Sequence, residues 1–177
     1  MEHEFRAELL RRSALDQQAR EHWLGGGGGW AEVKRIDADN TAWLTGIVAE
    51  HGWPGQALVG VDGAHAAWLL AQHAPPEHQV RWLDLLREAV ARGDAQARDL
   101  AYLEDRVHIH QGTPQRYGTQ WFGIGDNATR LFPLADAGRV NARRAAVDLP
   151  PIDEHDLDNA WQLDELRQLL PAHWGDQ

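Results

Sequence analysis

The chain has 177 residues, no cysteine and a formal net charge of -10, with Lys and Arg totalling 17 against 27 Asp and Glu. That balance excludes a phosphate-backbone binder, which needs a basic stripe to displace counterions. The missing cysteines exclude disulfides, thiolate nucleophiles and thiolate metal sites.

The length suits one domain with a real core. No window approaches the roughly 18 apolar residues of a membrane span, and the charged N-terminus MEHEFRAELLRR is unlike a signal peptide. The expectation is a soluble, cytoplasmic bacterial protein that engages neither nucleic acid nor membrane, with its oligomeric state open. Nine tryptophans are expected mainly in the core, because one indole buries so much area.

Residues 2–24 read as a helix in which Phe5, Leu9, Asp16, Arg20 and Trp23 share one face. Asp16 and Arg20 are spaced to pair, and a pair facing a core is a structural lock or part of a site. Gly25 to Gly29 lacks the Gly-Lys-Ser/Thr ending of a phosphate loop and reads as a flexible linker. The helical core spans residues 30–170. Ile36 to Thr41 carries helix-start residues, and Trp43, Leu44, Ile47, Val48 and His51 form the buried face that follows. Gly52 stops that helix and Trp53-Pro54-Gly55 turns the chain.

A second core helix starts near Val61, with Val61, Ala64, His65, Trp68, Leu69 and Gln72 on one stripe, His73 at its margin and a stop at Pro75-Pro76. An unpaired buried amide or imidazole costs about 1–3 kcal/mol, so these polar groups need partners. His65 reads as a satisfied core histidine, whereas Gln72 and His73 are site candidates. Glu77 to Arg92 is an amphipathic helix with Trp82, Leu83, Leu86, Ala89 and Val90 inward. After the Gly93-Asp94 turn a further helix runs to about Val107 with Leu100, Leu103 and Val107 inward.

Gly112-Thr113-Pro114 breaks the helical period, and Gln115 to Phe122 alternates as a strand. Gly123 to Asn127 reads as a hairpin loop returning through Thr129 to Phe132, which places the hairpin at about residues 115–132. Arg139 to Val147 and Asp158 to Leu170 read as closing helices. The expected fold is mainly α (α+β), a single-domain helical bundle with one small antiparallel β-hairpin.

With those residues laid out, the chain resembles the bacterial DUF6624 family. The likeness rests on Asp16-Gln17 with Arg20, Asp39-Asn40 with Trp43-Leu44, His51-Gly52-Trp53-Pro54, and Ala67 to His73. It continues through Ala101-Tyr102-Leu103 with Asp105-Arg106-Val107, Gln115 with Tyr117-Gly118-Thr119-Gln120, and Arg143-Arg144, covering roughly residues 6–152. It implies one domain and a shared polar set, with no activity to carry over. Pro75-Pro76 and Asp148-Leu149 depart from the family pattern, which expects an acidic stretch and a Gly-Leu there.

The window from Ala101 to Gln120 holds the densest set of proton-moving and hydrogen-bonding side chains. One pocket is expected where the Gln72-His73 helix end, the Asp105-Arg106 helix end and the Tyr117 to Gln120 strand meet. In a metal-free acid/base enzyme His73 is the proton shuttle and Asp105 fixes its tautomer or acts as base. Tyr117 and Gln120 donate to a developing oxyanion or a substrate amide, and Arg106 forks a carboxylate. Gln72, Gln115 and Trp53 complete the substrate-binding set, and no cofactor is implied.

The expected activity is hydrolase- or cyclase/lyase-like, on a polar amide, peptide or carboxylate-bearing small molecule. Two alternatives stay open. His108 and His110, two apart in extended chain, point the same way and with His73 or Asp105 make a three-ligand metal site. An acidic, Trp-rich chain also suits a protein-binding module of the immunity or inhibitor type, its polar core purely structural.

Overall fold

The computed structural model describes residues 2–123 and 129–169. The helices are α1 (Glu2–Leu24), α2 (Trp30–His51), α3 (Gln56–Gln72), α4 (Pro76–Ala91) and α5 (Ala97–His110). Strands β1 (Trp121–Phe122) and β2 (Arg130–Leu131) follow, then a 3-10 turn (Ala137–Arg139), α6 (Val140–Ala145), α7 (Glu154–Asp158) and α8 (Leu163–Leu169). The fold is mainly helical with one small antiparallel pair, as the periodicity predicts. The expected hairpin loop beyond Gly123, and Leu170 at the end of the closing helix, lie outside the described residues. No described helix is long and apolar enough to cross a membrane. The chain divides into two compact units, residues 1–99 and 100–177, with the boundary inside α5.

In the first unit α1 packs most extensively on α3 and then on α2. The centre of α3 is alanine-rich, and Ala64, Ala66, Ala67 and Ala71 are buried with Trp68 and Leu70. Small side chains let neighbouring helices approach closely. Burial on more than one face overturns the expected single stripe: Ala64, Trp68 and Gln72 are buried, but Val61 is exposed and His65 is half-exposed. The helix is interrupted at Gly60 (φ 73°, ψ 170°), a conformation open to glycine at little cost, so its regular part does begin at Val61.

The expected start of α2 is wrong by about two turns. The helix begins at Trp30, capped by Gly29, and the Asp/Asn-rich stretch lies inside it. Those side chains meet arginines of α1 instead of capping: Arg20 Nη2 donates to Asp37 Oδ1 (2.7 Å), and Arg12 Nη1 donates to Asp39 Oδ2 (2.6 Å) and Asn40 Oδ1 (3.0 Å). The buried face is Val33, Asn40, Thr41, Leu44 and Ile47; Trp43 and Val48 are partly covered and His51 is exposed. Gly52 ends the helix as expected, its N–H donating to Val48 O. In α4, Trp82, Leu83, Leu86 and Ala89 face inward as the pattern requires.

In the second unit α5 continues to His110, past its expected end. The expected strand 115–122 shrinks to Trp121–Phe122, paired with Arg130–Leu131, while Gln115 makes an isolated parallel bridge with Leu134. The cause is Gly118, which bends the chain at φ +66°. A Cβ there would meet Ile152 Cδ1 at 2.5 Å, so position 118 needs glycine for both conformation and space. Leu131, Val140, Ile152 and Ala160 form the local core, with Leu134 and Leu157 against it.

The single closing helix from Asp158 is also corrected, into two short ones. Between α7 and α8 the chain is drawn to the hairpin: Trp161 N donates to Leu131 O (2.9 Å), and its indole Nε1 donates to Phe122 O (3.1 Å). Arg130 lies 3.9 Å over the same ring.

One ion pair in the first unit gives stability a pH dependence. His65 Nδ1 lies 3.1 Å from both carboxylate oxygens of buried Asp99, and the ring stacks on Trp68. The Asp99 hydrogen bond raises the His65 pKa against the opposing effect of burial. A raised folded-state value stabilises the protein below the unfolded pKa, about 6.5, and is lost as pH climbs through the folded value. The Tm gap between wild type and His65→Gln is therefore widest in mildly acidic buffer and closes in alkaline buffer, as a series of calorimetric melts across pH will read.

Candidate functional site

Helical spacing puts Arg12, Asp16 and Arg20 on one face of α1, four residues apart. Asp37 of α2 and His73, the residue that caps α3, complete a cluster drawn from three helices of the first unit. The Asp16 side chain has no solvent exposure, while those of His73, Arg20 and Asp37 retain 18%, 18% and 17%. His73 Nδ1 lies 2.9 Å from Asp16 Oδ2 and 3.1 Å from Oδ1. Gln17 Nε2 donates to Asp16 Oδ2 at 2.8 Å.

Arg20 stands between the two acids, with Nη2 on Asp37 and Nε 3.5 Å from Asp16 Oδ2. Its Nε is also 3.1 Å from His73 Nδ1 and 3.4 Å from Nε2. Nδ1 cannot both donate to Asp16 and accept from Arg20, so the Asp16 contact selects the Nδ1–H tautomer and leaves Arg20 Nε only its longer contact, to Nε2. With the proton on Nδ1, the ring donates to Asp16 and keeps the Nε2 lone pair for Arg20 or for an incoming proton.

The two carboxyls are pushed in opposite directions. For Asp16, burial acts to raise the pKa, but the His73 hydrogen bond and the charges of His73 and Arg20 together hold it below the ordinary range. For Asp37, burial, helped by the Asp16 charge, prevails over Arg20 and raises it. Ligand atoms of Asp16, Asp37 and His73 lie within 4.8 Å of one another, a spacing that a divalent cation could bridge. Arg20 already brings one positive charge into that group, against its two carboxyls.

The partner of His73 is thus Asp16, and Asp105 is engaged elsewhere. In the second unit Asp105 is fully buried and its oxygens accept from the backbone N–H groups of Arg116, Tyr117 and Thr119 and from Thr119 Oγ1, at 2.7–3.1 Å. Burial pushes its carboxyl above the ordinary range, against the pull of those donors. The carbonyls of the same loop are collected by arginines. Arg143 Nε donates to Arg116 O (2.7 Å), and Arg144 Nη1 donates to Tyr117 O (2.7 Å) and Gly118 O (3.2 Å). A segment that joins neither helix nor sheet therefore has three of its N–H groups held by one carboxylate and three of its carbonyls by two guanidinium groups.

The other expected site residues divide between spent and unspent groups. Gln115, with no exposure, donates through Nε2 to Gln120 O and Phe132 O and accepts at Oε1 from Gln120 N, so its amide holds the bend together. Gln120 Nε2 donates to Thr119 Oγ1. Tyr117 is half-buried beneath Arg116, with its hydroxyl pKa raised by burial and by the Glu104 charge. Arg106 is half-buried on α5. In the first unit Gln72 is 3% exposed and Trp53 6%, and neither Gln72's amide nor the Trp53 indole N–H has a hydrogen-bond partner among the described residues.

His108 and His110 do not sit in extended chain. Both belong to α5, where a two-residue step turns them about 200° apart, and His108 Nδ1 is bonded to Thr113 Oγ1. His110 is driven toward its neutral form by burial and by the Arg106 charge. Asp37 and the loop-holding role of Arg143-Arg144 escaped the sequence reading. The signal for Asp37 is its spacing: once α2 starts at Trp30, Val33, Asp37, Asn40 and Leu44 fall on one face.

The fold and the cluster define a mainly helical protein that carries a buried carboxylate–imidazole pair beside an arginine. The chain belongs to DUF6624, a family of unknown function, whose model matches residues 6–164 and so takes in every residue of both carboxylate clusters. No curated protein and no solved structure matches it.

Asp105→Ala strips three backbone N–H groups and a hydroxyl of their acceptor. It is expected to cost about 3 kcal/mol or more of stability, seen as a lower urea midpoint at unchanged slope. Asp105→Asn, which keeps one acceptor oxygen, loses less.

Proposed function

We propose that the protein is a small enzyme performing acid/base chemistry, hydrolase- or cyclase/lyase-like, on a polar amide, peptide or carboxylate-bearing small molecule. The observation that carries the reading is the 2.9 Å contact from His73 Nδ1 to Asp16 Oδ2, with the carboxylate sealed and the imidazole partly open. A sealed carboxylate fixes the ring and its tautomer and stabilises the imidazolium formed on proton uptake, while Nε2 takes the proton once its long 3.4 Å contact with Arg20 Nε gives way. Arg20, held by Asp37, supplies a fixed positive charge beside that nitrogen, where it can stabilise negative charge developing on a substrate.

One observation favours the binding-module reading. The rings of Trp23 and Trp30 lie 4.8 Å apart, tilted at 47°, at the end of α1 and the start of α2, with each residue more than 40% exposed. Exposed tryptophans are common anchors in protein interfaces. In that case the His73 cluster is a lattice, and its replacement alters stability alone.

The test joins spectroscopy to turnover. Long-range 15N–1H spectra of the imidazole should show the Nδ1–H tautomer in wild type and its loss in Asp16→Asn. Against a panel of amide, peptide, ester and carboxylate substrates, His73→Gln and Asp16→Asn should each lower kcat by at least about 100-fold, with Tm moved by only a few degrees. An Nε2–H tautomer, or turnover unchanged in both variants, sinks the reading.

A further inference from the structure

Three glutamines are exposed by 3% or less, and the chain treats each differently. Gln115 spends its whole amide on backbone, donating to Gln120 O and Phe132 O and accepting from Gln120 N. Gln79 donates through Nε2 to Gln72 O and Ala74 O, both at 2.9 Å, and so ties down the carbonyls at the end of α3. Gln72 has neither amide atom hydrogen-bonded among the described residues, although it directly precedes His73. Gln79 Oε1 is itself without a partner among the described residues, so Gln115 is paired at both amide atoms, Gln79 at one and Gln72 at neither.

A carboxamide offers two donors and two acceptor lone pairs, and buried groups of this kind are nearly always paired. A position that only had to fill space four residues beyond buried Trp68 would be better served by leucine or methionine. Gln72 therefore keeps its head group for a partner from outside the chain.

We infer that Gln72 reads the substrate, and that the substrate presents a carboxamide or peptide unit. An N–H beside a C=O satisfies Oε1 and Nε2 together. A carboxylate or an ester carries acceptors alone and leaves Oε1 unpaired, and a site built to pair a polar group discriminates strongly against ligands that cannot complete the pairing. The inference rests on His73 as the proton acceptor and narrows its substrate to one class.

The experiment titrates the 15N-labelled full chain with acetamide, acetate and methyl acetate while following the Gln72 side-chain NH2 signals, assigned by their loss in Gln72→Met. Acetamide should shift them several-fold more than either oxygen analogue. Equal response to acetate, or an NH2 pair that contacts only bound water and ignores acetamide, overturns the inference. Gln72→Met should hold or raise the Tm, because it removes an unpaired polar group, and a marked fall would expose a structural role and overturn it as well. Repeating the titration in His73→Gln separates the two readings. A surviving acetamide shift there upholds Gln72 whatever becomes of the dyad, whereas no shift in wild type with the Nδ1–H tautomer intact defeats Gln72 alone.

Discussion

A carboxylate taken out of water must be matched by donors, and this chain buries Asp16 and Asp105 to 1% exposure or less. How each is matched separates architecture from chemistry. Asp105 is matched by backbone N–H groups and one hydroxyl, none of which titrates. Asp16 is matched by an imidazole, an arginine and a carboxamide, all of them side chains. Both are sealed acids on helices. The first fixes where a loop runs, and the second fixes how an imidazole is oriented.

The loop held by Asp105 shows why a small domain invests charge in irregular chain. Residues 116–119 cannot use a neighbouring strand, because Gly118 turns the backbone away from the two-residue ladder at 121–122. Their amides converge on one anion and their carbonyls on Arg143 and Arg144. Burial lowers the Arg144 pKa, yet its N–H groups are used by three carbonyls, so the guanidinium stays in its role. The Arg-Arg pair, the buried Asp, Gln115 and Gly118 are thus parts of one mechanical unit. A rule for reading such motifs follows: a run of polar residues around a glycine can encode a backbone knot as readily as a reactive centre.

Helix existence was plain in the sequence, since periodic apolar spacing and glycine or proline stops survive any tertiary context. Boundaries were harder. Asp37, Asp39 and Asn40 look like caps because short polar side chains compete for exposed amides at helix starts, and that reading hid their use as partners for Arg20 and Arg12. The strand at 115–122 failed because alternation says nothing of a left-handed glycine at its centre. His73, Gln72 and Asp16 were each visible as polar groups on buried faces. The pairing of Asp16 with His73, 57 residues away, depends on how α1 meets the end of α3, which no local pattern carries.

The electrostatics of the first cluster give the polar set its chemical character. Two carboxyls share one arginine, and their pKa values are driven apart: burial, helped by the Asp16 charge, raises Asp37, whereas the His73 hydrogen bond and the His73 and Arg20 charges outweigh burial at Asp16 and lower it. Divergent neighbouring acids are a recurring basis for dividing labour between an ionised anchor and a group able to hold a proton. Arg20 couples the two, so changing either acid alters the field at the other and at the imidazole beside Asp16. Such a cluster is costly as a lock, because an apolar contact of similar volume would hold α1 to α3 with less desolvation.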